Sequence, residues 1–313
     1  MSESARWDRM SEAGSPWTLV AMRWILRHLG RRPTLVIAAL SGAFFVLRRG
    51  GARRASRRYL ERVAASAEGR AALGGATPGL RAVMRHFHEF SLVVYDRMVA
   101  WSGALDVMDF DHDGSDRVFT LARRGEGALL LGAHLGSLDM MGFIARRYDI
   151  KVNVVAFHRN AARINAFFES LGARNVRMIE LDPGSVTAAF EVRSCIERGE
   201  FVAMMADRAV DHAAARSASV DFLGRPARFP LGPFLLAGVL GCPVYLAFCL
   251  RTGDARYTTV MRPLAAAERV RRPEREAWAR ALLGRYVARI EETCRRHPYQ
   301  WFNFFDFWRE EAA

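Results

Sequence analysis

The chain has 313 residues, of which 51% are hydrophobic and 25% charged. This excludes an intrinsically disordered chain and leaves room for one large domain with an appended helical piece. The net charge is +13, Lys151 is the only lysine, and twelve arginines against three acids fall in the first sixty residues. A basic end of this kind favours an anionic partner: lipid headgroups, nucleic acid or an acidic protein.

The first fifteen residues, MSESARWDRMSEAGS, are polar and mixed in charge, unlike a secretory signal. Between Trp17 and Leu29 the apolar residues Leu19, Met22, Ile25, Leu26 and Leu29 recur at helical spacing. Trp17 and Trp24 are suited to a membrane interface, and Arg23 and Arg27 interrupt the run. Pro33 to Leu47 then runs fifteen residues without a charge, short of the roughly 20 a full span needs. Arginines flank both pieces. The pattern predicts a basic amphipathic segment over 1–55 that lies on or dips into an anionic membrane surface. A single span and an ordinary core helix pair are the alternatives.

Residues 56–313 are predicted to form the main domain. From Ser56 to Trp101 the periodicity is helical, with Val83, Phe87, Phe90, Val94 and Met98 on one stripe. His86 and His88, two apart, face different ways and do not make a metal site. DFDHDG, Asp109 to Gly114, reads as a turn with solvated acids rather than a metal loop. After it, short apolar runs alternate with longer helical ones. GALLLGAH, KVNVVAFH, VRMIEL, FVAMMAD and CPVYLAFCLR read as strands. LDMMGFIARRY, AARINAFFESLG, SVTAAFEVRSCIERG and LGPFLLAGVLG read as helices, and a long charged helix covers Arg275 to Arg296. The alternation predicts an α/β domain with a mixed, partly parallel central sheet flanked by helices.

GALLLGAH is apolar enough for a central strand, with His134 at its carboxyl end, where open α/β sheets bind ligands. Gly136 permits a tight turn, and Ser137 is placed to cap the next helix. On one straight helix five residues turn about 500°, which would separate His134 from Asp139. A strand–turn–helix junction lets the two meet, with Asp139 accepting from one ring nitrogen and the other nitrogen acting as a base. There is no G-x-S-x-G elbow, so the substrate itself has to bring the hydroxyl. The four cysteines, Cys195, Cys242, Cys249 and Cys294, have neither C-x-x-C nor zinc spacing and suit a reduced setting.

His134 and Asp139 in GAHLGSLD resemble the H-x-x-x-x-(D/E) signature of the lysophospholipid acyltransferase superfamily, and more closely its bacterial lipid A late-acyltransferase branch. The likeness covers about residues 15–308. VVAFHRNAARINAFF resembles that branch's second block, with Arg159 and Asn165. MMADRAVDHAAARSASVDFLGRPARFPLGPFLLA resembles the third, with Asp207, Phe222, Gly224, Pro226, Ala227, Pro230 and Gly232. Pro243 in GCPVYLAF and Pro298, Gln300 and Trp301 in HPYQWFNFFDFW match the last elements. The chain departs from the branch at Leu138–Asp139, where W-E is usual. FPLGP also lacks the acid and threonine of the glycerolipid F-P-E-G-T-R block.

The resemblance implies a glycerolipid acyltransferase-like fold and acyl transfer from an acyl carrier protein or acyl-CoA thioester to a hydroxyl of a lipid or lipid-like acceptor. It also suggests a place beside bacterial polyene-pigment and lipid-modification pathways. His134 would be the general base, oriented by Asp139. Arg159, Asn165, Asp207, Arg225 and Arg228 are the expected substrate-binding residues, with Arg159 facing the developing oxyanion or an acceptor phosphate and FLGRPARFPLGP bent as a loop over the cleft. No metal or cofactor is expected, and no nucleic acid. The expected place is the cytoplasmic face of the bacterial inner membrane, peripheral or held by one anchor. The rival reading is a noncatalytic basic protein that binds membrane or nucleic acid, and no zinc, RNP or basic-zipper pattern supports the latter.

Overall fold

The computed structural model describes residues 24, 28, 32–101, 108–157, 175–181, 187–208 and 216–308. The expectations that rest on Arg159, on Asn165, on the helix over 161–172, and on the stretch 17–29 apart from Trp24 and His28 lie outside them. The chain divides into two compact units, one of 1–107 with 297–307, the other of 108–296 with 308–313.

The first unit holds helices α1 (Arg32–Arg48), α2 (Gly50–Ala64), α3 (Ala67–Ala72) and α4 (Leu80–Trp101). The boundary drawn from the sequence at 55/56 falls inside α2. Ala38, Gly42 and Val46 form the buried stripe of α1. Their small size lets α1 approach α4 closely: a Cβ on Gly42 would stand 3.1 Å from the Ser91 hydroxyl and 3.3 Å from the Phe87 carbonyl. The opposite face of α1 is oily and open, with Val36, Ile37, Leu40, Phe44 and Leu47 all exposed. Among the described residues no single helix is long and apolar enough to cross a membrane, and α1 and α2 meet at a bend of 101°.

Of the stripe predicted on α4, Val83 and Phe87 are buried, while Phe90, Val94 and Met98 are half-buried. The helix buries a wider arc, including His86, Tyr95 and Val99, because it packs on more than one side. His86 accepts from the Ser56 hydroxyl of α2 (2.9 Å) and donates from Nε2 to the Trp301 carbonyl (2.9 Å). The aromatic tail closes this core: Phe304 stacks on Phe87 at 4.3 Å, and Trp301 meets Tyr59 at 4.8 Å. Those rings are core packing.

The second unit is the α/β body. In chain order it contains β1 (Asp109–Asp113), α5 (Asp116–Arg124), β2 (Leu129–Gly132), α6 (Leu138–Arg147), β3 (Val152–Phe157) and β4 (Val176–Leu181). It continues with α7 (Thr187–Glu197), β5 (Phe201–Met205), β6 (Ser217–Phe222), β7 (Arg225–Pro230) and α8 (Gly232–Leu240). β8 (Val244–Gly253), β9 (Arg256–Ala265) and α9 (Arg275–Arg296) complete it. The main sheet runs β1-β9-β8-β2-β5-β3-β4. β8, β2, β5, β3 and β4 are mutually parallel, β9 turns back antiparallel on β8, and β1 lies parallel to β9 at the edge.

β2 is buried at every residue, as a central strand covered on both faces has to be. DFDHDG is not a turn, as the sequence predicted, but the edge strand β1 followed by Gly114. Its alternate residues Asp109, Asp111 and Asp113 point outward into solvent, which an edge strand tolerates. FLGRPARFPLGP is likewise not a bent loop. β6 and β7 pair as an antiparallel hairpin, with Phe222 opposite Arg225. Ala227 and Phe229 are buried on one face of β7, while Pro226 and Arg228 are exposed on the other. The two-residue turn has positive φ at Leu223 (51°) and Gly224 (77°), the geometry whose twist matches a tight hairpin. Glu291 of α9 accepts from the Leu223 amide at 2.7 Å and holds a leucine in that disfavoured conformation.

Candidate functional site

The site forms where β2 and β5 end. Their register pairs Gly132 with Met205, and the ladder continues one step with the Ala206 amide donating to the Gly132 carbonyl at 3.0 Å. Two residues beyond that paired rung, at the same offset on each strand, stand His134 and Asp207. The Asp207 carboxylate takes both donors that His134 offers on this side. Oδ2 accepts from the His134 backbone amide at 2.9 Å, and Oδ1 accepts from Nδ1 at 2.8 Å.

The turn that follows His134 is built for tight passage. Gly136 has φ +70°, and a Cβ there would lie 2.1 Å from the Cys249 carbonyl oxygen, so both conformation and space demand glycine. The Ser137 amide donates to the same Cys249 carbonyl at 2.8 Å, which ties the turn to β8. The Ser137 side chain then caps α6 by accepting from the Met140 amide. Asp139 falls in the first turn of α6, half-buried, where a carboxylate is favoured by the helix N-terminus. The predicted His134–Asp139 pairing is therefore corrected: the carboxylate on Nδ1 is Asp207. Asp207, read from the sequence as substrate-binding, is fully buried behind the imidazole.

The electrostatics follow. A carboxylate accepts only, so Nδ1 carries the ring proton and Nε2 of the neutral ring holds a lone pair. The His134 side chain is 31% exposed and that of Asp207 0%, so the imidazole reaches solvent while its partner does not. Burial lowers the His134 pKa below 6.5, and the Arg208 cation lowers it further, against the opposing pull of Asp207. The imidazole is thus neutral at pH 7 and ready to accept a proton. Burial alone would raise Asp207, but the facing imidazole and Arg208 outweigh it and hold the carboxyl well below its usual range.

Arg208, next to Asp207, is a half-buried cation that sequence reasoning passed over. Arg225 and Arg228 lie exposed on β7, and Arg228 donates from Nε (3.2 Å) and from a terminal nitrogen (2.7 Å) to the Ser217 hydroxyl across the hairpin. Among the described residues no group of three or more His, Cys, Asp or Glu could hold a metal ion. All four cysteines are buried and outside any disulfide.

Residues 3–310 match the family described as bacterial lipid A biosynthesis acyltransferase. The chain belongs to that family. It is also 25% identical over 151 residues to the phosphatidylinositol mannoside acyltransferase of Mycolicibacterium smegmatis (strain ATCC 700084 / mc(2)155). That likeness covers 48% of this chain and 47% of the relative, so the chain spans about half the length of the curated relative it matches. The family match extends over almost the whole sequence.

Proposed function

We propose that the protein transfers a fatty or polyene acyl group from an acyl carrier protein or acyl-CoA thioester to a hydroxyl of a lipid-like acceptor. The observation that carries this reading is the His134–Asp207 pair at the carboxyl end of two central parallel strands, in a chain of an acyltransferase family. Nε2 of His134 takes the acceptor's O–H proton while that oxygen attacks the thioester carbonyl carbon. The C=O electrons move to oxygen, forming a tetrahedral oxyanion. On its collapse the C–S bond breaks and the proton passes from the imidazolium to the leaving sulfur, which yields an ester and a thiol. Asp207 accepts one bond from the ring and one from the His134 backbone amide, and stabilises the imidazolium between the two steps. Arg159 remains our choice for the oxyanion or an acceptor phosphate, and Asn165, Arg225 and Arg228 for anionic parts of the donor or acceptor. Asp139 contributes through the first turn of α6.

The oily outer face of α1, together with the exposed Arg54, Arg57 and Arg58 of α2, supports attachment to an anionic membrane surface. The cytoplasmic face of the bacterial inner membrane combines that surface with thioester donors. A sugar hydroxyl is the acceptor that the name of the mycobacterial relative favours. Mass spectrometry of lipids and pigments from cells with and without the protein tests the reading. A species heavier by one acyl chain that depends on His134 is expected, and identical profiles would overturn it.

A further inference from the structure

The Gly132 carbonyl, the last acceptor on β2 before the site, takes a second hydrogen bond. Tyr286 of α9 donates to it from Oη at 2.7 Å, beside the Ala206 amide at 3.0 Å. Tyr286 is 0% exposed, and its ring meets the Phe234 ring of α8 at 5.2 Å, edge on. The phenol has one rotatable hydroxyl and is walled in, so the position of its oxygen is set by packing. Gly132 lies against Met205 of the neighbouring strand, where a Cβ would stand 3.1 Å from the sulfur. The carbonyl is thus fixed by one donor from the neighbouring strand and another from the helix that backs it. Two residues further on, each strand delivers its half of the His134–Asp207 pair.

We propose that Tyr286 is a positioning residue for the reaction: by clamping the Gly132 carbonyl it sets the separation of the ends of β2 and β5, and with it the His134–Asp207 hydrogen bond. This rests on the acyl-transfer reading of the same site. Asp207 and Arg208 are the charged groups that bear on His134, and Asp207 and Cys294 the titratable groups that bear on Tyr286. Burial, reinforced by the Asp207 charge, raises the Tyr286 phenol, so it stays a hydrogen-bond donor throughout the working range. Tyr286 touches no reacting atom. It acts through the strand.

The test is a titration of His134 by NMR in the full-length protein with nitrogen-labelled histidine, its signal assigned by its loss in His134→Gln. Asp207 raises the His134 pKa, so a loosened pair lowers it. In Tyr286→Phe we expect the His134 titration, and the acid limb of kcat/KM for palmitoyl-CoA, to move to lower pH. We also expect kcat about tenfold lower with KM unchanged. In an Asp207→Asn background the same change should have no further effect, because the bond it protects is already gone. Phe234→Leu, which keeps the hydroxyl but frees the ring, should move the titration in the same direction and serves if Tyr286→Phe fails to fold. An unmoved His134 titration in both variants, or losses that simply multiply in the double variant, overturns the proposal. Failure of the acyl-transfer reading looks different: no thioester is consumed by the wild type, while the titration is still readable.

Discussion

A histidine that takes a proton at neutral pH has to arrive unprotonated and leave its ring in one orientation. Burial and Arg208 secure the first for His134, and the Nδ1–H bond that Asp207 accepts secures the second, with the His134 backbone amide bound to the same carboxylate. His134→Ala should lower acyl transfer by about 10²- to 10⁴-fold in a folded protein, read as thiol release from palmitoyl-CoA. Asp207→Asn should cost a similar factor, because an amide can present its N–H₂ to Nδ1 and favour the wrong tautomer. Since the His134 pKa is depressed, the free enzyme should keep its kcat/KM down to pH values below 6.5 before the acid limb falls. A limb centred above 6.5 would contradict the neutral-base assignment. His134 was legible in the sequence because a lone imidazole ends an uninterrupted apolar run. Its partner was not, because 73 residues separate the two and only the adjacency of β2 and β5 brings them together. A trace of it was present: GAH and MAD each place a polar side chain just past an apolar strand.

Among the elements, the strand–turn–helix junction after β2 is the most constrained. Gly136→Ala would put a methyl group into the Cys249 carbonyl in a conformation that alanine disfavours. We expect thermal destabilisation together with loss of activity, measured by calorimetry and thiol release. An alanine variant with wild-type melting would show that the turn has room the structure does not give it. Helix α1 makes the opposite case, since its outward residues Leu40 and Phe44 are largely exposed. Leu40→Glu with Phe44→Glu should leave the melting temperature near wild type and reduce binding to phosphatidylglycerol-containing vesicles at least tenfold in a flotation assay. Unchanged flotation would remove α1 from the membrane proposal. β2, β3, β4, β5 and β8 were readable as apolar runs between Gly, Asp and Pro. β9 and the β6–β7 hairpin were not, because arginines and prolines interrupt their patterns, and long-range pairing rather than local propensity makes them strands.

For the molecule as a whole, the α/β alternation announced the fold class, whereas the grouping of the aromatic tail with helices far upstream could not be read from periodicity. His86 is where that grouping becomes measurable: its Nε2 bond to Trp301 spans 215 residues. Burial lowers His86 to about 4, with the Trp301 bond opposing only part of the shift. An unfolded chain holds the same group near 6.5. Between those values the unfolded state binds a proton that the folded state does not, so stability present above pH 6.5 is lost as pH falls towards 4. The loss amounts to about 3 kcal/mol. Urea midpoints should drop across this window, and His86→Asn should be less stable at pH 7 but flatter in profile. A wild-type midpoint constant from pH 7 to 4.5 would argue against a buried neutral His86.

The proposed catalytic pairing of His134 with Asp207 stands or falls on a comparison of purified wild type, His134→Ala, Asp207→Asn and Asp139→Asn. Each is given radiolabelled palmitoyl-CoA or palmitoyl-acyl carrier protein and vesicles of a bacterial total lipid extract, and the label appearing in lipid is followed. Loss of at least a hundredfold in the first two variants, with a smaller loss in Asp139→Asn, is the expected result. Near wild-type transfer by Asp207→Asn alongside a dead Asp139→Asn would return the orienting role to Asp139 and contradict the geometry described above.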